Sequence, residues 1–448
     1  MNKRTFLKSS ATLLSGSLLS SMTGAEASPE ARTNWAGNLE FHAAHLDLPA
    51  NSNDVRRLVS KRPSLKALGA GHSFNSIADT TGDQVSLKNF QEMSIDSRAR
   101  TVTVGGGVKY GQVAPYLYQH GYALHNLASL PHVTVAGACS TATHGSGIHN
   151  GNLATAVAAL EIVTASGETV SLARERDPDR FPGAAVSLGA LGIITRVTLD
   201  VLPTFDMAQV VFENLSFDQL EHHLDEIFSA GYSVSLFTDW QHHRATQVWI
   251  KSRLDPASPY LKAKEFFGAT AATRKLHPIA GHDAEPCTDQ LGIPGPWYER
   301  MPHFRMNFTP SSRAELQTEY FVARENAYQA ILAVEKLRDE ITPHLFITEL
   351  RTIAADQLWM SPCHQRDSLT IHFTWKREWP AVKALLPRIE AQLVPFAPRP
   401  HWAKLFTLPA ARIQSQYQRL ADFRSLVHRF DPDGRFRNTF LATNVFGT

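Results

Sequence analysis

Apolar and polar positions between Asn34 and about Pro203 alternate over short distances, in stretches that fit strands and small helices. β-Branched residues at every second position predict strands, and a repeat of helical spacing that stops at a glycine predicts a helix. An asparagine or aspartate ahead of such a repeat predicts its N-cap. The predicted elements are strands at Leu65–Leu68 and Thr101–Val104, a helix at Gly111–Gln119 that Gly121 closes, and a short helix capped by Asn53 or Asp54.

Two further strand patterns flank a glycine turn. Glu161–Thr164 and Glu168–Ser171 lie on either side of Ala165-Ser166-Gly167, which is the composition of a hairpin. Gly189–Ile194 then returns to a strand, and its glycines would allow a cofactor to lie close to the backbone. Short strands and helices mixed in this way indicate an α+β domain.

The patterns lengthen after Pro203. Helical spacing predicts helices at Phe217–Phe228, Arg324–Leu337 and Glu378–Val394. The stretch 256–310 is rich in proline and glycine with little periodicity, so we expect it to run over the surface. This change in pattern places a domain boundary near residue 204.

The composition narrows the class of protein. The 448 residues are 43% hydrophobic and 19% charged, which is ordinary for a folded chain of two or three domains. The 44 basic and 42 acidic side chains nearly balance and form no basic stripe, so nucleic acid is not an expected partner. Cys139, Cys287 and Cys363 are too few for a disulfide framework and lack metal-ligand spacing, so we expect them to be buried and expect no metal site.

The first 27 residues have the pattern of an export signal. Lys3-Arg4 precedes a weakly apolar stretch at 11–24, and Ala25-Glu26-Ala27 offers small residues for cleavage before Ser28. The apolar stretch is too short and too polar for a membrane span. It resembles a twin-arginine signal with lysine for the first arginine, which implies the twin-arginine translocase as a transient partner and a periplasmic or extracellular location. A plain secretory signal and a misassigned start are the alternatives.

Two glycine-rich loops are the strongest chemical signal in the chain. Gly69-Ala70-Gly71-His72-Ser73 follows an apolar run, and 137–147 is a second loop of small residues and hydroxyls. Glycines let backbone N–H groups approach a diphosphate closely. The nicotinamide fingerprint does not fit, because Asn75–Ala78 opens no clear amphipathic helix. Two such loops around one histidine favour a flavin over a nicotinamide.

Three segments, 67–73, 129–137 and 143–145, resemble the flavin domain of the vanillyl-alcohol-oxidase superfamily, and most closely its alditol oxidases and sugar-1,4-lactone oxidases. The resemblance implies a two-part α+β FAD-binding domain of the PCMH type at 28–204 and an α+β substrate or cap domain at 205–424. A C-terminal segment at 425–448 would return to the FAD domain. It also implies FAD attached covalently through His72, by one histidyl link because Cys139 does not match the cysteine of doubly linked relatives.

The resemblance assigns cofactor contacts residue by residue. The implied FAD contacts are Ala67, Leu68, Gly69, Ala70, Gly71, His72, Ser73, Ser129, Thr134, Val135, Ala136, Gly137, Thr141, Ala142, Thr143, His144, Gly192, Ile193 and Lys404.

Four ionisable or polar residues repeat at strand spacing in the second half. Glu349 and Arg351 are two residues apart, as are His372 and Thr374, so each pair would project from one face of a strand. Taken alone, each pair is explained most simply as the solvated face of a half-buried strand, with Glu349 and Arg351 as a surface ion pair. The resemblance favours a site, because alditol oxidases carry Glu-x-Arg, His-x-Thr and Pro-His-Trp-x-Lys, the last matching Pro400–Lys404 here.

The resemblance implies roles for these residues. Lys404, Arg351, Glu349 and His372 would be catalytic, since cationic donors stabilise the oxygen of an alcohol that is losing its proton and a hydride. Ser129, Glu349, Arg351, Thr374 and Lys404 would bind the substrate. The sequence leaves open whether Lys404 or His372 takes the proton.

The expected function is oxidation of a terminal alditol hydroxyl by hydride transfer to FAD, with O2 reduced to hydrogen peroxide. An aldonolactone oxidase or dehydrogenase is the nearest alternative, and a non-catalytic flavin or carbohydrate binder is the alternative from another class. Ala128, which in relatives lies over the flavin, is compatible with either oxidase or dehydrogenase behaviour.

Overall fold

The structure is a computed structural model that describes residues 32–255, 258–308 and 315–448. The predicted signal peptide at 1–27 lies outside the described residues, as do parts of the stretch 256–310. Among the described residues, no helix combines the length and the apolar character that crossing a membrane requires.

A small parallel sheet and a larger antiparallel sheet form the first half of the chain. The strands are β1 (Leu46–Asp47), β2 (Leu65–Ala67), β3 (Asp83–Val85), β4 (Met93–Asp96), β5 (Thr101–Gly105), β7 (Val157–Val163), β8 (Thr169–Ala173) and β9 (Ile193–Asp200), with β6 (Tyr122–Ala123) and β10 (Leu202–Pro203) paired as a separate ribbon. The parallel sheet has the order β1-β3-β2, and the antiparallel sheet has the order β4-β5-β9-β7-β8. The helices are α1 (Ser52–Lys61), α2 (Tyr110–Gln119), α3 (Val135–Ser140) and α4 (Phe181–Ala184).

A ten-stranded antiparallel sheet forms most of the second half. Its strands are β11 (Asp206–Ser216), β12 (Ser233–Thr238), β13 (Arg244–Arg253), β14 (Glu265–Phe266), β15 (Ala269–Ala271), β16 (Gly295–Pro296), β17 (Glu315–Ala323), β18 (Leu345–Ile353), β19 (Ser368–Lys376) and β20 (Arg399–Pro400). Helices α5 (Asp218–Phe228) and α6 (Ala327–Glu335) pack on one face, with α8 (Trp379–Leu393) beside α6. The remaining helices are α7 (Arg338–Ile341), α9 (Ala410–Gln414), α10 (Leu420–Phe430) and α11 (Thr439–Leu441).

The predicted elements are mostly present, with three corrections. The hairpin of β7 and β8 is confirmed, as is the helix that ends at Gln119. The N-cap of α1 is Asn51 and not Asn53 or Asp54, because Asn51 accepts the Asp54 N–H and the helix starts at Ser52.

The other two corrections concern element starts. The strand predicted at Gly189–Ile194 begins only at Ile193, since Gly189 (φ +63°) and Gly192 (φ +139°) adopt conformations that a strand excludes. The helix predicted at Arg324–Leu337 is a 3₁₀ turn at Arg324–Asn326 followed by α6.

The C-terminal tail contacts the first half of the chain. The carbonyl of Arg435 accepts the N–H of Leu65, at the start of the strand that leads into the first glycine loop. The Asn438 amide donates to the carbonyls of Ser76, Ile77 and Asp79 just after that loop. The tail is therefore hydrogen-bonded to the chain on both sides of the first glycine loop. The predicted domain boundaries stay a prediction.

Candidate active site

A cavity of about 1180 Å³ lies between the glycine loops and the open face of the ten-stranded sheet. Pockets for one small molecule usually measure roughly 300–1,000 Å³. The larger volume leaves room for a cofactor and a substrate together. One wall of the cavity comes from the first half of the chain and the other from β17, β18, β19 and the loop after β20.

Most of the predicted cofactor residues line the first wall. Those that line the cavity are Ala67, Leu68, Gly69, Ala70, Gly71, His72, Ser73, Ser129, Thr134, Ala136, Gly137, Thr141, Thr143, His144, Gly192 and Lys404. Val135, Ala142 and Ile193 do not line it, because their side chains are buried in the apolar core. The sequence pattern predicts that the loop lies at the cavity, but it does not predict which of the loop's side chains face the cavity and which face the apolar core.

The glycine loops pack against each other through Thr134. A Cβ on Gly69 would lie 2.6 Å from Thr134 Oγ1, and a Cβ on Gly137 would lie 2.8 Å from the same atom. Gly71 has a φ of +71°, which favours glycine. The wall is thus made of backbone groups and small hydroxyl side chains, and such concave backbone suits the diphosphate of a dinucleotide. This wall fits FAD.

The ring of His72 stacks on Trp35, with the ring centroids 4.7 Å apart. The backbone N–H of Trp35 donates to the carbonyl of Gly71 at 2.8 Å, and the Asn34 amide donates to the carbonyl of Ser73 at 2.8 Å. The N-terminal segment therefore holds both sides of the loop that carries His72 and fixes the plane of its imidazole.

The second wall is the face of β18 and β19 that carries the two predicted pairs. Glu349 is the register partner of His372 across these strands, so the pairs share one face. Glu349 and Arg351 are each only 5% exposed, and His372 and Thr374 8%. The explanation as a surface ion pair is wrong, because the first half of the chain covers this face.

Arg351 is held between two carboxylates. Its Nη2 donates to Glu319 Oε1 at 2.8 Å, and its Nε lies 3.5 Å from Glu349 Oε1. Its Nη1 contacts Ser129 Oγ at 3.4 Å, which reaches across to the flavin-side wall. Burial works to lower the pKa of Arg351, but the two carboxylates outweigh it and raise that pKa. Arg351 is therefore a fixed positive charge at the junction of the two walls.

Both carboxylates stay ionised in spite of their burial. Burial works to raise the pKa of Glu319, but His144, Arg351 and His372 together hold it well below its usual value. For Glu349, Arg351 and then His303 overcome the same effect and lower the pKa. His303 Nε2 lies 2.6 Å from Glu349 Oε1.

Glu319 also lies beside two histidines. Ligand atoms of His144, Glu319 and His401 lie within 4.8 Å of one another, close enough for a metal ion. Arg351 already forms an ion pair with Glu319, so the negative charge of this carboxylate is balanced without a metal ion.

Lys404 reaches the cavity from the loop after β20. Its Nζ donates to Gln317 Oε1 and lies 4.8 Å from the ring centroid of Phe74. The Asn75 amide donates to the carbonyls of Trp402 and Lys404, and the Phe74 N–H donates to Ala403. The loop that carries Lys404 is therefore bonded directly to the loop that carries His72.

Lys404 and His372 have shifted proton affinities. Burial lowers the pKa of Lys404 to about 8, against the opposing charge of Glu319 and Glu315. Burial also lowers the pKa of His372 to about 3, so this imidazole is neutral near pH 7. Lys404 alone of the two changes charge near neutral pH.

The cavity residues that were not predicted include Gln317, Glu319 and His303, which lie on the substrate-side wall or contact it. Gln317 and Glu319 are two residues apart on β17, and Glu319 is the register partner of His372. The same spacing argument that selected Glu349 and Arg351 would have found them. His303 lies outside the named strands and helices, and the sequence carries no signal for it.

Comparison with known proteins identifies the family. Residues 43–173 match the family described as FAD binding domain, and residues 309–444 match the family described as D-arabinono-1,4-lactone oxidase. The chain is 48% identical over 420 residues to an alditol oxidase from a Streptomyces species, covering 93% of this chain and 99% of the relative. It is 26% identical over 430 residues to an L-gulono-1,4-lactone dehydrogenase from Mycobacterium tuberculosis, covering 91% of this chain and 97% of that one.

The fold is also that of a solved structure. Cholesterol oxidase from B. sterolicum superimposes with a TM-score of 0.75 at 14% identity, over 93% of this chain and 96% of that one. This likeness confirms the predicted α+β fold, and the match of residues 43–173 shows that the first half of the chain is an FAD-binding domain. The 48% identity over almost the whole of both chains, together with the FAD-binding domain at residues 43–173, shows that this chain belongs to the alditol oxidase family of FAD-linked oxidases.

Proposed function

We propose that this protein oxidises a terminal hydroxyl of an alditol of the xylitol or sorbitol class to the aldose, with O2 as the electron acceptor. The proposal rests on one observation. Two cationic donors, Lys404 and Arg351, line the same cavity as the glycine loops and lie opposite them. FAD, when bound there, supplies the hydride acceptor and passes the electrons on to oxygen.

The two cations would act on the substrate oxygen. As an alcohol loses a hydride its hydroxyl must lose a proton, so positive donors aimed at that oxygen stabilise its developing negative charge. Arg351 is a permanent charge between Glu319 and Glu349, and it can only stabilise. Lys404 has a pKa of about 8, so it can also take the proton in its amine form. We assign the proton transfer to Lys404.

The remaining polar groups would bind the rest of the polyol. Glu349 accepts hydrogen bonds from substrate hydroxyls, while neutral His372 and Thr374 lie beside it on the same wall. Ser129 reaches in from the flavin side. Several donors and acceptors on one wall suit a substrate that carries a hydroxyl on each of its carbons.

Substrate tests separate this function from its alternatives. Purified protein should form hydrogen peroxide with xylitol, sorbitol or mannitol, and a γ-lactone should react more slowly. Faster reaction with the lactone would favour the second candidate, a lactone oxidase or dehydrogenase, which the match of residues 309–444 supports. Flavin that no alditol or lactone reduces would leave only a binding function.

We also propose that FAD is attached covalently through His72. Its support is the position of His72 in the glycine loop at the cavity wall, with its ring held by Trp35. Acid precipitation should leave yellow flavin in the pellet, and His72→Ala should release it into the supernatant. Free flavin from the unmutated, mature protein would contradict the attachment.

Export as a folded protein to the periplasm or beyond remains a proposal based on the sequence of residues 1–27. Replacing Lys3 and Arg4 with glutamine should retain the precursor in the cytoplasm. Unchanged export in a strain that lacks the twin-arginine translocase would show a plain secretory route.

A further inference from the structure

A second buried lysine, Lys251 of β13, lies behind the substrate-side wall and has no part in the function proposed above. It is 1% exposed, and its Nζ has three hydrogen-bond acceptors. They are the carbonyl of Met301 at 2.5 Å, the carbonyl of Pro302 at 3.1 Å and the Nδ1 of His303 at 2.9 Å. An ammonium group has three N–H donors, so each acceptor takes one.

His303 connects this lysine to the candidate active site. Its Nδ1 faces Lys251, and its Nε2 lies 2.6 Å from Glu349 Oε1. Since the ammonium can only donate, Nδ1 must be the acceptor nitrogen and Nε2 must carry the hydrogen that Glu349 accepts. The backbone N–H of His303 also donates to the carbonyl of Ser129 on the flavin side.

We propose that Lys251 keeps His303 a neutral imidazole with its Nε2–H committed to Glu349, so that Glu349 retains its full negative charge beside Arg351. Lys251 and His303 are then positioning residues, which act on the substrate only through Glu349. The kinetic part of this inference rests on the proposed function, and the part about the protonation of His303 does not.

The surroundings of His303 support this assignment. Its ring is enclosed by Phe237 and Trp249, with ring centroids 5.5 and 5.2 Å away. The charged or titratable groups that face it are Lys251 from β13 and Glu349 and Arg351 from β18, and Cys287 faces Lys251. Burial, followed by the charge of Lys251, lowers the pKa of His303 to about 4.

The order of titration defines a pH window for a test. Burial lowers the pKa of Lys251 to about 7, against the charge of Glu349. Between about pH 4 and pH 7 the pair is therefore a charged lysine and a neutral histidine. Without the ammonium, His303 keeps the attraction of Glu349 and loses the repulsion of Lys251, so its pKa rises towards the usual value of about 6.5.

The first experiment follows the protonation of His303 itself. ¹⁵N–¹H correlation spectra of histidine-labelled protein, assigned with His303→Gln, should show a neutral ring with hydrogen on Nε2 at pH 5.5. In Lys251→Met the titration midpoint of His303 should rise by at least about one pH unit. An unchanged midpoint would overturn the proposal. Lys251→Gln, which keeps donors for the two carbonyls, serves as a second variant should Lys251→Met not fold.

The second experiment measures anaerobic flavin reduction by xylitol from pH 5 to pH 9. Lys251→Met should be slower near pH 5, by roughly twofold if the pKa of His303 rises by one unit and by more if it rises further, because protonated His303 then competes for the charge of Glu349. The defect should shrink above about pH 7, where wild-type Lys251 has itself lost its charge. Lys404 is present in both proteins, so its own titration cancels in the ratio of the two rates.

A control separates this role from a merely structural one. Lys66 is buried to the same degree, but all three of its acceptors are backbone carbonyls. Any defect of Lys66→Met should therefore not vary with pH between about pH 5 and pH 6, where Lys66 keeps its charge. A pH-independent defect in Lys251→Met over the same range would contradict the proposal. If neither alditols nor lactones reduce the wild-type flavin, the proposed function fails, and the spectra still decide the state of His303.

Discussion

The two walls of the cavity differ in the size and charge of the side chains that form them. The flavin-side wall is rich in glycines, alanines and small hydroxyl side chains around His72 and His144, and Gly69 and Gly137 pack closely against Thr134. The substrate-side wall carries buried ionisable side chains, including Glu319, Glu349 and Arg351, each at most 5% exposed.

The difference follows from what each wall has to hold. The diphosphate of a dinucleotide is already negatively charged, so neutral backbone N–H donors are enough to bind it. Large side chains on this wall would keep the diphosphate away from those donors. An alditol is neutral and becomes charged only as it reacts, so the protein must supply the charge in advance and keep it desolvated. Changes to the first wall should therefore affect cofactor content, and changes to the second should affect the rate of flavin reduction.

The largest expected effect belongs to Lys404. Lys404→Met should slow anaerobic flavin reduction by roughly two to three orders of magnitude, the usual scale for removing one positioned donor. FAD content should remain normal, because the glycine loops are untouched. Reduction at near the wild-type rate would remove Lys404 from the mechanism and shift the role to Arg351 and His372.

Thr374→Ala is the matched comparison on the same wall. A group that binds the ground state and the transition state alike should raise KM for the alditol several-fold and leave kcat nearly unchanged. Stopped-flow reduction at several xylitol concentrations separates the two parameters. A large loss of kcat would show that Thr374 acts in the chemical step.

Glu319→Gln should have the next largest effect on rate. The amide can still bond Arg351 but removes the charge that helps to fix it, so reduction should fall by about one to two orders of magnitude. The response to pH should also change, since the charge of Glu319 works to raise the pKa of Lys404. Without it, that pKa should lie below about 8, and the pH profile of reduction should move to lower pH in stopped-flow measurements. An unshifted profile would count against the coupling of Glu319 to Lys404.

Gly69→Ala tests the flavin-side wall. The new Cβ would lie 2.6 Å from Thr134 Oγ1, too close for any real contact, so the loops must separate and the yield of FAD-loaded protein should fall several-fold. Flavin absorbance per protein measures this. Adding Thr134→Ala removes the clashing oxygen and should restore part of the FAD content. A variant with full flavin but slow reduction would break the contrast between the walls.

Lys66→Met should have the smallest effect on the rate of flavin reduction. Its main expected effect is on how the free energy of unfolding depends on pH. Burial lowers the pKa of Lys66 to about 7, so from about pH 7 to about 10.4 the unfolded chain binds a proton that the folded chain does not. Lys66 therefore makes the free energy of unfolding rise with pH in this range, by at most about 1.4 kcal/mol per pH unit. Urea unfolding should show that Lys66→Met lacks this rise, while Met at the exposed Lys383 leaves it in place.

Much of the site followed from spacing and motif. The two-residue periods at Glu349–Arg351 and His372–Thr374 put each pair on one face of a strand, and the register of β18 with β19 brings those faces together. The glycine loops also line the cavity as predicted. The sequence could not predict that the side chains of Val135 and Ile193 face the apolar core and not the cavity, because this depends on how each segment packs in the folded protein.

The sequence by itself determined the family, the class of cofactor and the side chains that share a strand face, because motifs and periodicity are local properties of the chain. Only the tertiary structure decided that this face is buried, that Glu319 holds Arg351, and that His303 joins Lys251 to Glu349. These contacts link residues tens of positions apart. Their charges and proton affinities depend on how completely the covering half of the molecule excludes water, and no local pattern records that.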